Sequence, residues 1–220
     1  MNILETLQKI TLLFLLGFPL IMICLIGFLS ISVLNVGTIF LFVGQVIIVP
    51  IIVFALHMVT WILPGTHVSP SDVGLLVPSI KDALSVSKFN VGPSFWVSHV
   101  VFLCSYIFTN AYTVYNLDAS AVPGPSWKLE NRTARSLMIM ATSVFLLITL
   151  LVSRYYMTGA ETIFGIIIAL LAFIPAGYYW YQLAIKNGSQ NGDIFGIMQQ
   201  ILPAMEDDTN ATLCMKNTSQ

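Results

Sequence analysis

The chain has 220 residues, 57% of them hydrophobic and 9% charged, with a formal net charge of -1 and a mean hydropathy of +0.87. A soluble domain carries about 25% charged residues, and here no Lys, Arg, Asp or Glu occupies any position between Lys9 and Asp72. These figures exclude an ordinary soluble fold, and the lack of a basic cluster argues against a nucleic-acid partner.

The apolar runs are long and do not alternate with polar residues, which excludes a transmembrane barrel. They predict an all-α fold: a polytopic transmembrane helical bundle over residues 1-185, with five spans, followed by a polar tail over 186-220. About 20 helical residues cross the hydrocarbon core. The first predicted span, Ile10 to Val33, follows Lys9 and ends at Leu34-Asn35-Val36-Gly37. Its length and its poor cleavage signature favour an ordinary or signal-anchor span over a removed leader. The second, Thr38 to Leu63, ends in Trp61-Ile62-Leu63-Pro64-Gly65, and so short a link predicts an antiparallel hairpin with the first.

The third span runs from Ser94 to Tyr115, with Pro93 placed for a first helical turn and Trp96 near an interface. Ser94, Ser98, His99, Ser105, Thr109 and Asn110 make it more polar than the rest, which predicts a helix inside the bundle. The fourth span, Ser136 to Tyr156, carries Arg154, whose guanidinium is expected to snorkel outward. The fifth, Thr162 to Leu183, holds Pro175 and closes on Tyr178-Tyr179-Trp180-Tyr181, which reads as an aromatic belt; Thr158 and Glu161 have capping-box spacing just before it. In the loops, Ser79-Ile80-Lys81-Asp82 suggests a short capped helix. In the tail, Ile194, Ile197, Met198, Ile201, Leu202 and Met205 predict an amphipathic interfacial helix over about 194-205, with no basic residue on its polar face.

Five spans put the termini on opposite sides. Lys128, Arg132, Arg135 and Lys186 on the side of the tail are balanced by Lys9, Lys81, Lys88 and Arg154 on the other, so charge does not orient the chain. The sequons at Asn131, Asn187, Asn210 and Asn217 all fall on the side of the tail; glycosylation there would make that side lumenal. Cys24, Cys104 and Cys214 are too scattered for a disulfide framework.

Chemistry-bearing residues in the spans are few. Gln45 and His57 lie 12 positions apart on the second span, about 18 Å of helix rise, and with His99 they are the candidates for a polar path. Gly165, Ala169, Ala172 and Ala176 form one small-residue face for helix packing, within the monomer or between copies. No zinc-protease, nucleophile-elbow or phosphate-loop motif occurs, and the histidines and cysteines lack metal-site spacing, so neither catalysis nor a cofactor is expected. The expected role is that of a non-enzymatic multi-pass structural or assembly protein. It would sit in the lipid bilayer and anchor protein partners or further copies through loops and tail, as a virion envelope component does. The alternative is a subunit of a small-solute or ion transporter or channel.

Overall fold

A computed structural model of the chain describes residues 3-61, 92-116, 126-158 and 162-187, all of them helical or closely flanking a helix. The elements are α1 (Ile3–Val33), α2 (Val36–Val43), a π-helical turn (Gly44–Ile48), α3 (Val49–Trp61), α4 (Phe95–Tyr115), α5 (Ser126–Thr158) and α6 (Ile163–Lys186). The Ser79-Asp82 helix, the 194-205 tail helix, the sequons at Asn210 and Asn217, and Cys214 lie outside the described residues.

Among the described residues, four helices are long and apolar enough to cross a membrane: Val36–Val59, Phe95–Tyr115, Asn131–Tyr156 and Ile163–Lys186. Four such helices stand against the five spans read from the sequence; the first apolar run is helical over Ile3–Val33, within which the described apolar stretch is Gly17–Ser32.

The hairpin between α1 and α2 forms as expected, on two linking residues. Leu34 takes a left-handed φ of 51°, and Asn35 caps α2, its side chain accepting from the Gly37 N–H at 2.7 Å. The Ser30 hydroxyl straps the pair, lying 2.7 Å from the Ile26 carbonyl and 2.9 Å from that of Thr38.

Each proline inside the first two apolar runs leaves a trace in the backbone. Pro19 has no N–H to give the Leu15 carbonyl one turn earlier, and that carbonyl accepts the Trp96 indole N–H at 2.7 Å. Pro50 likewise denies a donor to Val46, and the preceding turn widens so that the Val49 N–H reaches Gly44 O, one residue beyond the α-helical partner.

Helix α4 is the axis of the bundle. Of its 18-residue apolar window 78% is buried, against 22% in each of α5 and α6, although it is the least apolar of the four spans. Helices α2 and α3 run antiparallel to it, since Tyr106 donates to Gly37 O, Gln45 meets His99, and His57 meets Pro93. Helix α6 runs parallel to it, with Ser105 donating to Ile174 O at 2.7 Å and Asn110 donating to the Tyr181 hydroxyl at 3.2 Å. The α4–α6 crossing is close because Gly177 faces Ser105: a Cβ there would lie 2.8 Å from Ser105 Cβ and 3.1 Å from Phe102 O. Gly44 serves the same purpose on the π-helical turn, its missing side chain leaving room for Phe102 and Trp180.

Several boundaries differ from the sequence reading. Helix α4 begins after Pro93, with Ser94 as its cap accepting from the Val97 N–H at 3.1 Å. Helix α5 starts at Ser126, so the loop expected up to Arg135 is helical in its second half. Thr158 ends α5 instead of capping α6; that cap is Thr162, whose hydroxyl accepts from the Gly165 N–H at 3.0 Å. The aromatic belt splits, with Tyr178 and Tyr179 outward, Tyr181 fully buried, and the Trp180 indole donating to Phe40 O at 2.6 Å.

Candidate functional site

Gln45, His57 and His99 are the polar residues singled out in the second and third spans. The structure brings two of them together and places the third elsewhere. Gln45 stands on the π-helical turn facing α4, 2% exposed, and His99 stands in the second turn of α4, 4% exposed. The Gln45 amide N–H donates to the His99 carbonyl at 3.1 Å, and its carbonyl oxygen lies 2.6 Å from His99 Nδ1. The first bond fixes which end of the amide is which. An amide oxygen only accepts, so Nδ1 carries the ring proton and Nε2 presents a lone pair. Nε2 is buried with no hydrogen-bond partner among the described residues, and the Phe95 ring stacks on the imidazole at 6.4 Å.

The widened turn explains why Gln45 can engage both the backbone and the ring of one residue. A π-helical turn rotates the side chains that follow it relative to a regular helix, and such turns occur often at functional sites. Nothing in a count of residues between Gln45 and His57 announces the extra residue in the turn. Pro50 was the available signal, since a missing N–H is where a helical ladder gives way.

His57 instead belongs to the end of the bundle where α4 and α6 begin. Its Nε2 donates to Pro93 O at 3.1 Å, and Gly92 packs so tightly on the ring that an added Cβ would lie 2.5 Å from Cε1. The carbonyl of Gly92 in turn lies 3.1 Å from the Cβ position of Gly165 on α6. Three elements therefore meet around one glycine.

At the same end, Arg154 was expected to reach outward. It is buried instead, with its guanidinium carbon 5.2 Å from the centre of the Trp96 ring, and Trp96, expected near an interface, is buried beneath it. The ring face attracts the cation, while its indole N–H holds α1 through Leu15. Arg132, also buried, stands 22 residues earlier on α5, roughly 33 Å away along the helix. That separation is close to the thickness of a hydrocarbon core, about 30 Å. Sequence reading did not single out this pairing, although their spacing was legible.

Of the small-residue face, Gly165 and Ala169 are buried, and Ala172 and Ala176 pack half-buried against the core. The buried stripe of α6 continues through Phe173, Gly177, Tyr181 and Ala184. The sequon Asn131 stands exposed within α5, and Asn187 closes α6, its side-chain amide donating to Leu183 O at 2.8 Å.

No protein-family model matches this chain, and no curated protein or solved structure matches it. Among the described residues, no three His, Cys, Asp or Glu side chains converge as a metal site would require.

What is directly visible is an all-α bundle with several helices able to span a membrane, the architecture of a multi-pass membrane protein.

Proposed function

We propose that the protein is a non-enzymatic structural or assembly component of a membrane, a rigid multi-pass anchor that presents loops and tail to protein partners or further copies of itself. A virion envelope is one setting for such an anchor. The observation that carries the reading is how the polar groups of α4 are used. The Ser98 hydroxyl donates to Ser94 O, Ser105 to Ile174 O, Tyr106 to Gly37 O and Thr109 to Ser105 O, while Asn110 donates to Tyr181. These bonds fasten neighbouring helices or the helix's own backbone, and a solute moving along α4 would have to break them in turn. Polar groups used this way favour a fixed scaffold over a conducting one.

Mild-detergent extraction followed by crosslinking tests it. Reproducible neighbours, or an oligomer, support the anchor, and a consistently solitary monomer overturns it. Glycosylation at the tail sequons, read by a glycosidase-sensitive mobility shift, would put the tail in a lumen and the loop between α3 and α4 on the opposite side.

The transport reading has its own specific support, the Gln45–His99 pair on a π-helical turn with an unbonded imidazole nitrogen. Flux in reconstituted vesicles that is abolished by Gln45→Ala or His99→Ala, with the fold intact, would reverse the ranking.

A further inference from the structure

Helices α5 and α6 both pack on α4 but barely touch one another. Between them lies a lateral groove of about 540 Å³ floored by α4. Its inner end is at Cys104, Leu147 and Ile174, and its outer end is at Tyr112, Tyr178 and Tyr179. The three tyrosines face outward, as do Val144 and Ile174 on the rim, so the groove opens toward the surrounding hydrocarbon.

The serine and threonine hydroxyls of its lining are already engaged. Ser105 donates to Ile174 O, Thr109 to Ser105 O, and Ser143 to Met140 O at 2.8 Å. A polar solute or an ion would find no free donor on these side chains, whereas a hydrocarbon chain needs none. Length separates the apolar candidates. From Cys104 to Tyr112 the floor rises roughly 12 Å, close to one leaflet's half of a core about 30 Å thick. A partner helix crossing the bilayer would need a seam more than twice as long.

Charge and polarity then fix which way the chain lies. Along α5 the residues Leu147, Ser143, Met140, Ser136 and Arg132 recur at three- and four-residue steps, one face of the helix. They lead from the inner end of the groove to a buried arginine. The Ser136 hydroxyl, wholly buried on this stripe, has no hydrogen-bond partner among the described residues, and an unmet buried group calls for one. On α6 the same course runs through Tyr178 and Gln182 to the exposed Lys186. Among the described residues this end of the bundle carries Arg132, Arg135 and Lys186, with Lys128 and Glu130 at the start of α5. We infer that the groove between α5 and α6 is a binding site for a glycerophospholipid with an anionic headgroup, one acyl chain lying from the tyrosines inward to Cys104 and the headgroup held at the Arg132–Lys186 end.

The full chain in phosphatidylcholine nanodiscs, doped with phosphatidylglycerol carrying a photoreactive group in one acyl chain, tests this by mass-spectrometric mapping of the adducts. Adducts should concentrate on groove residues of α4, α5 and α6, and equally labelled phosphatidylcholine should give fewer. Val144→Trp, which fills the groove from its outward-facing rim, should reduce the groove adducts while leaving thermal unfolding unchanged. Lys186→Gln should lower the preference for the anionic lipid by about five-fold, the worth of one cation near a lipid headgroup. Adducts spread evenly over the outward faces, including Phe145 and Val152, would overturn the site. So would groove labelling undiminished in a folded Val144→Trp. Should that variant misfold, the wild-type adduct map and the Lys186→Gln ratio decide alone, and equal labelling by the two lipids would refute the headgroup assignment.

Discussion

Helices α4 and α5 pack along each other and obey opposite rules. Helix α4 carries two buried serines, a histidine, a threonine, an asparagine and a tyrosine, and is almost wholly enclosed. Helix α5 turns Leu137, Met138, Val144, Phe145, Ile148 and Val152 outward and buries Arg132, Ser136, Ser143, Leu150, Leu151 and Arg154. In water the more apolar of two helices goes inside; here the more polar one does. Hydrocarbon is as apolar as leucine, so burying leucine against protein gains little, whereas a hydroxyl or amide gains a partner only by facing another helix. Position in this bundle follows the need for hydrogen bonds and close backbone contact more than hydrophobicity.

The contrast can be broken deliberately, and the largest effect should come where α4 meets α6. Gly177→Val places a branched side chain where even one carbon meets Ser105 and the Phe102 carbonyl; it should cost about 3 kcal/mol or more, read as a lower midpoint in denaturing-detergent titration. Gln45→Leu comes next. It removes the partner of His99 Nδ1 inside the core and should cost about 2 kcal/mol, while the double change Gln45→Leu with His99→Leu should recover much of that loss. A double change no better than the single one would show that the pair is not coupled.

Trp96→Phe keeps a ring beneath Arg154 but deletes the indole N–H, leaving the Leu15 carbonyl without that donor. We expect a loss of about 1 kcal/mol, and Pro19→Ala should compensate by returning a helical N–H to the same carbonyl. If Pro19→Ala fails to rescue, the carbonyl is not what Trp96 serves. Leu34→Gly relieves the left-handed backbone of an outward side chain and should stabilise by up to about 1 kcal/mol, visible as a raised midpoint. On the outer face, Phe145→Ala should change the midpoint by no more than about 0.5 kcal/mol, because its ring is 70% exposed and touches little protein. A large loss there would mean that α5 is covered by a partner.

Much of the architecture was legible. The apolar runs place the helices, Asn35 and Gly37 mark the hairpin, and the hydroxyls of the third span announce an internal helix. The misreadings have local causes. The N-terminal run reads as a full span on hydropathy; it is helical over Ile3–Val33, with Gly17–Ser32 as its described apolar stretch. The α5 start was placed ten residues late because Lys128, Glu130 and Arg132 look like a loop when only hydropathy is weighed, although they are good helix formers. Thr158 reads as a cap from its spacing to Glu161, yet it belongs to the last turn of α5, and Thr162 caps α6.

The sequence by itself determined the solvent of this protein, its helical character, its hairpin and which span lies innermost, because each follows from composition or from short-range backbone chemistry. The tertiary structure decided which polar groups meet. His99 sits 54 positions from Gln45, and Trp96 81 positions from Leu15. Such pairings depend on the crossing of helices and on where a proline opens a turn or frees a carbonyl, neither of which residue spacing along one helix records. The groove between α5 and α6 is of the same kind, a gap left because both helices pack on α4 and not on each other.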